Sequence, residues 1–386
     1  MNVCLDDFDV AFEVRDGCYV PGRRVSVAPD LPDLRAAIRQ ALETPRNFPP
    51  LRRALTPDDR VAVVIDDQLP QLGVCVSEIL TYLQEAGIDP AAVTLISPRG
   101  AKQAWVDDLP DAVQAARTEI HDPSNRRALC YLASTRAGRR IYLNRTVVEA
   151  DFAIVLTSYR YDPTDGVHEA ARALFPALSD DATLQDAGSR SLAEASEVAW
   201  LLGVPFLVHV IEGSGERVAH VVSGTLESSA DCAQLLEKRW CIRYTRPAEL
   251  VIATMTGDSR RHDFAAIARA ARAAASVCEA GGKIVLLTRS APEFGPWREI
   301  LRNAASTDDA IRQLHQQRPV GHDLALQWLE AARHASLYWL SQLDDEIVEE
   351  LFAIPMVEPE QAQRLIDAAR SCLLLEDAHK ALPVIE

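Results

Sequence analysis

No stretch of this chain approaches the roughly 20 consecutive apolar residues that a bilayer-spanning helix needs. Its eight cysteines (Cys4, Cys18, Cys75, Cys130, Cys232, Cys241, Cys278 and Cys372) never fall within four residues of one another, which excludes CxxC and zinc-ribbon spacings. Several sit in apolar runs such as "SCLLLED", where a free thiol behaves as a small hydrophobe. The first twenty residues hold Asp6, Asp7, Asp9 and Glu13, unlike a secretory signal, so a reduced, cytoplasmic setting is expected. Positive charge is scarce: 40 Lys and Arg against 56 Asp and Glu leave a net charge of −16. Such a surface repels nucleic acid and anionic membranes, so neither is expected as a partner. There is no Walker motif, no GxGxxG behind a strand and no GxSxG elbow. Low-complexity segments and internal repeats are also absent.

What is there is an ordinary globular composition, 48% apolar and 25% charged over 386 residues, enough for two domains. Strand and helix signals alternate. "RVAVVID" (60–66) predicts a strand buried on both faces, "VSEILTYLQEAG" (76–87) a helix and "VTLIS" (93–97) a strand. "ADFAIVLTS" (150–158) and "PFLVHVIE" (205–212) repeat the strand pattern, with "SLAEASEVAWLLG" (191–203) as a helix between them. "RVAHVVSG" (217–224) pairs back across "GSGE" as a hairpin. The pattern restarts with the strand "LVIATM" (250–255). A long alanine-rich helix over 263–282, stopped by glycines, and the strand "KIVLLT" (283–288) follow, forming one βαβ unit. Helical stretches are expected near 307–317, 322–335, 343–352 and 359–370. The fold class predicted is α/β: two domains, 1–245 and 246–386, each with a mainly parallel sheet flanked by helices, and a ligand cleft between them.

Ligands of open parallel sheets bind outside the carboxyl ends of the strands. Four such ends carry polar residues: Asp66-Asp67-Gln68, the stretch Ser97–Lys102, the tract "YDPTDGVHEAARALFPALSD" (161–180), and Thr256–Asp263. In the third, His168 and Glu169 precede Arg172 by four and three residues. A zinc protease would need a second histidine there, and a guanidinium does not ligate metal. Arg99, Lys102, Arg160, Arg172, Arg260, Arg261 and Arg269 gather near these ends, which points to an anionic ligand, a carboxylate or phosphate. The competing reading is that they are solvated or locally paired loop charges. His121 beside Asp122 reads as a turn histidine, His209 as a core or cross-strand residue, and His262 before Asp263 as part of a helix cap. His220, His315, His322, His334 and His379 have no companion at ligand spacing.

These segments resemble the lactate racemase family. "LRAAIRQALETPRNFPPLRRALTPDDRVAVVIDD" (34–67) resembles its first helix, proline link and strand ending in two aspartates. "RRIYLNRTVVEADFAIVLTS" (139–158) is similar to its Asn-Arg…Ala-Asp signature, with Asn144, Arg145, Ala150 and Asp151 in register. "LVIATMTGD" and "VCEAGGKIVLLTRSAPEFGPW" are similar to the start of its second domain. The resemblance runs from about residue 24 to near 380. It implies a two-domain α/β protein, racemisation or epimerisation of 2-hydroxy acids, and a nickel-pincer nucleotide held through a lysine.

The site positions that the resemblance implies are largely rewritten. Arg172 stands where the covalent lysine belongs, Asp162 and Ala101 where the two catalytic histidines belong, and Gly188 where a nickel-ligating histidine belongs. No histidine lies between 169 and 208. His168-Glu169-Ala170 replaces a Ser-Gly-Gly, and Ala266 and Arg269 replace a Gln and a Lys, while Asp66 and Asp67 are kept. A guanidinium does not serve as an amine nucleophile, so no cofactor and no metal are expected. The residues expected to act are His168, Asp162 and Asp67 in catalysis, with Arg172, Arg99, Lys102, Arg269 and Asp66 binding a small anionic metabolite. His168, Glu169 and Arg172 are expected on one short helix. Three readings stay open: an isomerase of the racemase/epimerase class, a non-catalytic relative that binds a small anion, and a different enzyme on the same scaffold.

Overall fold

The computed structural model describes the chain apart from residues 1, 9, 25–28, 102, 104, 107, 108, 112, 113, 137, 163–165, 169, 186–191 and 204. Two mainly parallel sheets, each flanked by helices, organise it. The first has six strands in the order Val218–Gly224, Phe206–Glu212, Phe152–Ser158, Val61–Ile65, Val93–Ser97 and Arg117–Ile120. All neighbours run parallel except the Phe206–Glu212/Val218–Gly224 hairpin. Val61–Ile65 is buried at every position, as its unbroken apolar run requires of a central strand covered on both faces.

The second sheet has five parallel strands in the order Ala353–Met356, Ser336–Leu340, Cys278–Leu287, Ala248–Thr254 and Cys372–Leu375. The helix Phe264–Ser276 covers it. Asp263 caps that helix, its carboxylate accepting from the Ala266 N–H at 2.8 Å. Small side chains at Ala270, Ala271 and Ala274 let the helix lie close in a core shared with Trp328 and Trp339. This core also takes in Tyr159, Ile211 and Ala219, so the two units share apolar packing.

Part of the N-terminal segment lies against the second sheet. Phe8, Phe12 and Val14 pack with Leu250, Ile252 and Val285, and Tyr19 bridges to Cys372. Strand Arg23–Arg24 joins Cys241–Tyr244 and Leu382–Ile385 in a small third sheet. Among the described residues no helix is long and apolar enough to cross a membrane.

Two elements differ from expectation. The alanine-rich helix ends at Ser276, and Gly281 and Gly282 belong to the strand Cys278–Leu287. His168 is not on a helix with Arg172. Strand Gly166–His168 pairs with Arg160–Asp162, placing residue 168 opposite Arg160, and Arg172 lies on the separate helix Ala170–Leu174.

Candidate functional site between the two sheets

In the first sheet the chain proceeds from 61–65 outward to 93–97, then returns on the other side at 152–158. The carboxyl ends of 61–65 and 152–158 therefore flank a topological switch point, the usual ligand crevice of such sheets. Asp66 sits at it and is fully engaged. Its carboxylate accepts from the Ser158 N–H (3.3 Å), Ser158 Oγ (3.2 Å), Thr157 Oγ1 (3.4 Å) and Arg160 Nη1 (3.1 Å). Burial works against the charge on Arg160, but Asp66, then Glu212 and Asp263, outweigh it and raise the pKa of the guanidinium.

Asp67, one residue on, has the opposite surroundings. Burial first, then the charges of Asp66 and Asp263, push its carboxyl up to about 6.

The second sheet has its own switch point, between 248–254 and 372–375. There Asp377 accepts from the Thr256 N–H (3.1 Å) and Oγ1 (2.6 Å), and from the Gly215 N–H (3.1 Å) at the tip of the first unit's hairpin. Lys380 donates to the Gly213 and Gly215 carbonyls at 3.0 and 2.8 Å. Arg261 spans the units, giving Nε to the Gln68 carbonyl (2.9 Å), Nη2 to Glu212 (3.0 Å) and Nη1 to Glu216 (2.8 Å). Burial alone would raise the carboxyl of Glu212; Lys380, Arg261 and Arg160 together hold it below its ordinary value. Glu212 is thus the centre of a buried ionic layer between the two switch points.

Two cavities open beside this layer. The larger, about 1330 Å³, is lined by Asp67, Gln68 and Arg99 from the first unit and by His262, Asp263 and Arg289 from the second, among others. The smaller, about 190 Å³, is lined by Tyr161, Asp162, Arg269 and His379, among others. His262 and His379 meet edge to face, ring centroids 5.2 Å apart, and the Nδ1 of each is buried without a hydrogen-bond partner among the described residues. Burial first, then neighbouring cations led by Lys380, lowers the pKa of both, so both rings are neutral.

The groups singled out from sequence are therefore not gathered in one place. Asp67 and Arg99 line the large cleft, and Asp66 lies beneath it, spent on Arg160 and Ser158. Arg99 is exposed and reaches Asp181 at 3.3 Å. Asp162 and Arg269 line the smaller pocket. Burial lowers the pKa of Arg269, and its Nε is buried without a partner among the described residues. Arg172 lines neither cavity. Lys102, Glu169 and the side chain of His168 lie outside the described residues.

Sequence reasoning missed the His262–His379 contact and the Glu212–Arg261–Lys380 group. The strand-end rule applies to the second of these: "EDAHK" follows directly on the buried strand 372–375, so its polar residues fall at a carboxyl end.

The sequence model of the lactate racemase N-terminal domain matches residues 7–199, half of the chain. The chain belongs to the lactate racemase family. Its fold is similar to the solved lactate racemase apoprotein of Thermoanaerobacterium thermosaccharolyticum, with a TM-score of 0.78 over 97% of both chains at 14% identity. It is also similar to a Thermotoga maritima protein solved by structural genomics, with a TM-score of 0.72 over 94% of this chain and 100% of that one at 13% identity. At such identities the likeness is one of fold. A search among curated proteins found no match.

Proposed function

We propose that this lactate racemase family member binds a small 2-hydroxy acid in the large cleft and inverts it by proton transfer, with Asp67 and His262 as the two acid–base groups. The observation that carries the reading is the carboxyl of Asp67, pushed to about 6 where it faces a cleft shared with Arg99. Inversion needs a group on each side of the reacting carbon. Asp67 comes from the first unit and His262 from the second. The pair works with one proton between them: neutral His262 removes the proton from carbon and protonated Asp67 returns one to the other face. Arg99 offers a guanidinium to the substrate carboxylate.

The residues present do not fit a nickel-pincer nucleotide. By the family resemblance Arg172 stands where the lysine belongs, and Lys380, bordering the site, is committed to the Gly213 and Gly215 carbonyls. No step of the proposal passes through that cofactor. The seven described cysteines are all free, in keeping with work in the cytoplasm.

The test is NMR of each enantiomer of a 2-hydroxy-acid panel incubated with the protein in D2O. Solvent deuterium should enter at C2, the rate should fall as pH rises above about 6 and Asp67 loses its proton, and Asp67→Asn should abolish exchange. Inversion without deuterium uptake, or only with added nickel-pincer nucleotide, would refute the proposal. A second reading, binding without turnover, is favoured by Asp162 and Ala101, which by the family resemblance stand at the two histidine positions. Saturable binding with no exchange at any pH would select it.

A further inference from the structure

We propose that the second wall of the large cleft holds an anion subsite centred on Arg289, so that the ligand is a 2-hydroxy acid with a second anionic end, either a dicarboxylate or a phosphorylated acid. This rests on the cleft reading above and goes beyond it in ligand class.

The argument starts from which cations of the cleft are already neutralised. Arg35 pairs with Glu78, Arg260 with Asp258, and Arg261 with Glu212 and Glu216, while Arg99 gives one nitrogen, Nη1, to Asp181 at 3.3 Å and is otherwise exposed. Arg289 does not: among the described residues no ion pair joins it to a carboxylate. It stands just past the carboxyl end of strand Cys278–Leu287, exposed, in the same cleft as Arg99. Its guanidinium lies over the ring of Phe8, 5.4 Å from the centroid. That contact holds the side chain from one side and leaves its N–H donors available. Gln342, at the end of the next strand, lines the same wall.

The first wall supplies Arg99, which is exposed and lines the cleft. Arg99 on one wall and Arg289 on the other thus present guanidinium donors to two ends of a ligand. A volume of about 1330 Å³ leaves ample room for more than a three-carbon acid.

The experiment is titration calorimetry with lactate, malate and 3-phosphoglycerate on the wild type, Arg289→Gln and Arg289→Lys. On the wild type at least one of malate and 3-phosphoglycerate should bind about tenfold or more tighter than lactate, the range for one added hydrogen-bonded charge. The tighter of the two identifies the second group as carboxylate or phosphate. Arg289→Gln should remove the advantage and leave lactate binding unchanged, and Arg289→Lys should keep part of it. Equal binding of all three acids to the wild type, or an equal loss for all three in Arg289→Gln, would overturn the subsite while leaving the cleft reading intact. If none of the three binds, the cleft reading itself fails and takes the subsite with it.

Discussion

Asp66 and Asp67 are adjacent in sequence and opposite in circumstance. Asp66 has five described hydrogen-bond donors around its carboxylate, the Gln68 N–H among them, whereas Asp67 is partly buried with two carboxylates near it. The consequence can be measured as stability. In the folded state the Asp67 carboxyl titrates at about 6, above its ordinary 3.8, so the folded state binds this proton more tightly than the unfolded one. Its contribution is favourable at low pH and is lost as pH rises through that window. At 1.36 kcal/mol per pKa unit the rise corresponds to roughly 3 kcal/mol at pH 8. Asp67→Asn removes the charge and keeps the shape, so it should stabilise the protein by about 1–3 kcal/mol at pH 8 and by much less near pH 4. Urea unfolding at the two pH values checks this, and an equal effect at both would show that Asp67 is not held up by its surroundings.

At the scale of elements, what periodicity could see was largely right. The apolar runs at 60–66, 93–97, 150–158 and 205–212 are strands, and 217–224 returns across the "GSGE" turn as its hairpin partner. His209 is a core residue, fully buried edge-on to Tyr159. Periodicity failed where a helix former continued past its helix. Val277 to Ala280 still reads as helix, and the next obvious stop is the glycine pair. Pairing partners show what the glycines are for: Ala248 lies opposite Cys278, but Leu250 lies opposite Lys283, so residues 279–282 form a bulge in the strand. Gly281 has φ +74°, and a Cβ on Gly282 would sit 2.7 Å from the Glu249 carbonyl oxygen. Gly282→Ala must push backbone against backbone and should cost about 1–3 kcal/mol, the range for overpacking. Gly281→Ala, which meets nothing and only forces a left-handed residue, should cost about 1–2 kcal/mol. Urea denaturation of the two variants tests the bulge, and an unchanged midpoint for Gly282→Ala would mean that the strand does not approach Glu249 so closely.

Across the whole molecule, the part of the site that could not be read from sequence is the part assembled from distant segments. Asp66, Arg160, Glu212, Arg261 and Lys380 come from the carboxyl ends of five different strands or the residues just beyond them, and no spacing rule links them. Only the closure of two sheets, switch point to switch point, brings them together. The layer they form has an energetic signature that separates it from ordinary surface charge. Glu212 is 7% exposed and Lys380 3% exposed, so each relies on the other and on Arg261 to offset the loss of water. Removing one member leaves a buried charge uncompensated, at about 3–5 kcal/mol, whereas removing both members of a pair can be close to neutral. Lys380→Met should therefore be strongly destabilising, because Glu212 keeps its charge and the Gly213 and Gly215 carbonyls lose their donor. Lys380→Met combined with Glu212→Gln should recover part of that loss, since the carboxylate that needed the ammonium is gone. A double-mutant cycle in urea measures the coupling, expected at about 1–3 kcal/mol for neighbours in one network. Strictly additive losses would mean that Glu212 and Lys380 are held by their backbone contacts alone and that the two units are joined by apolar packing rather than by the ionic layer.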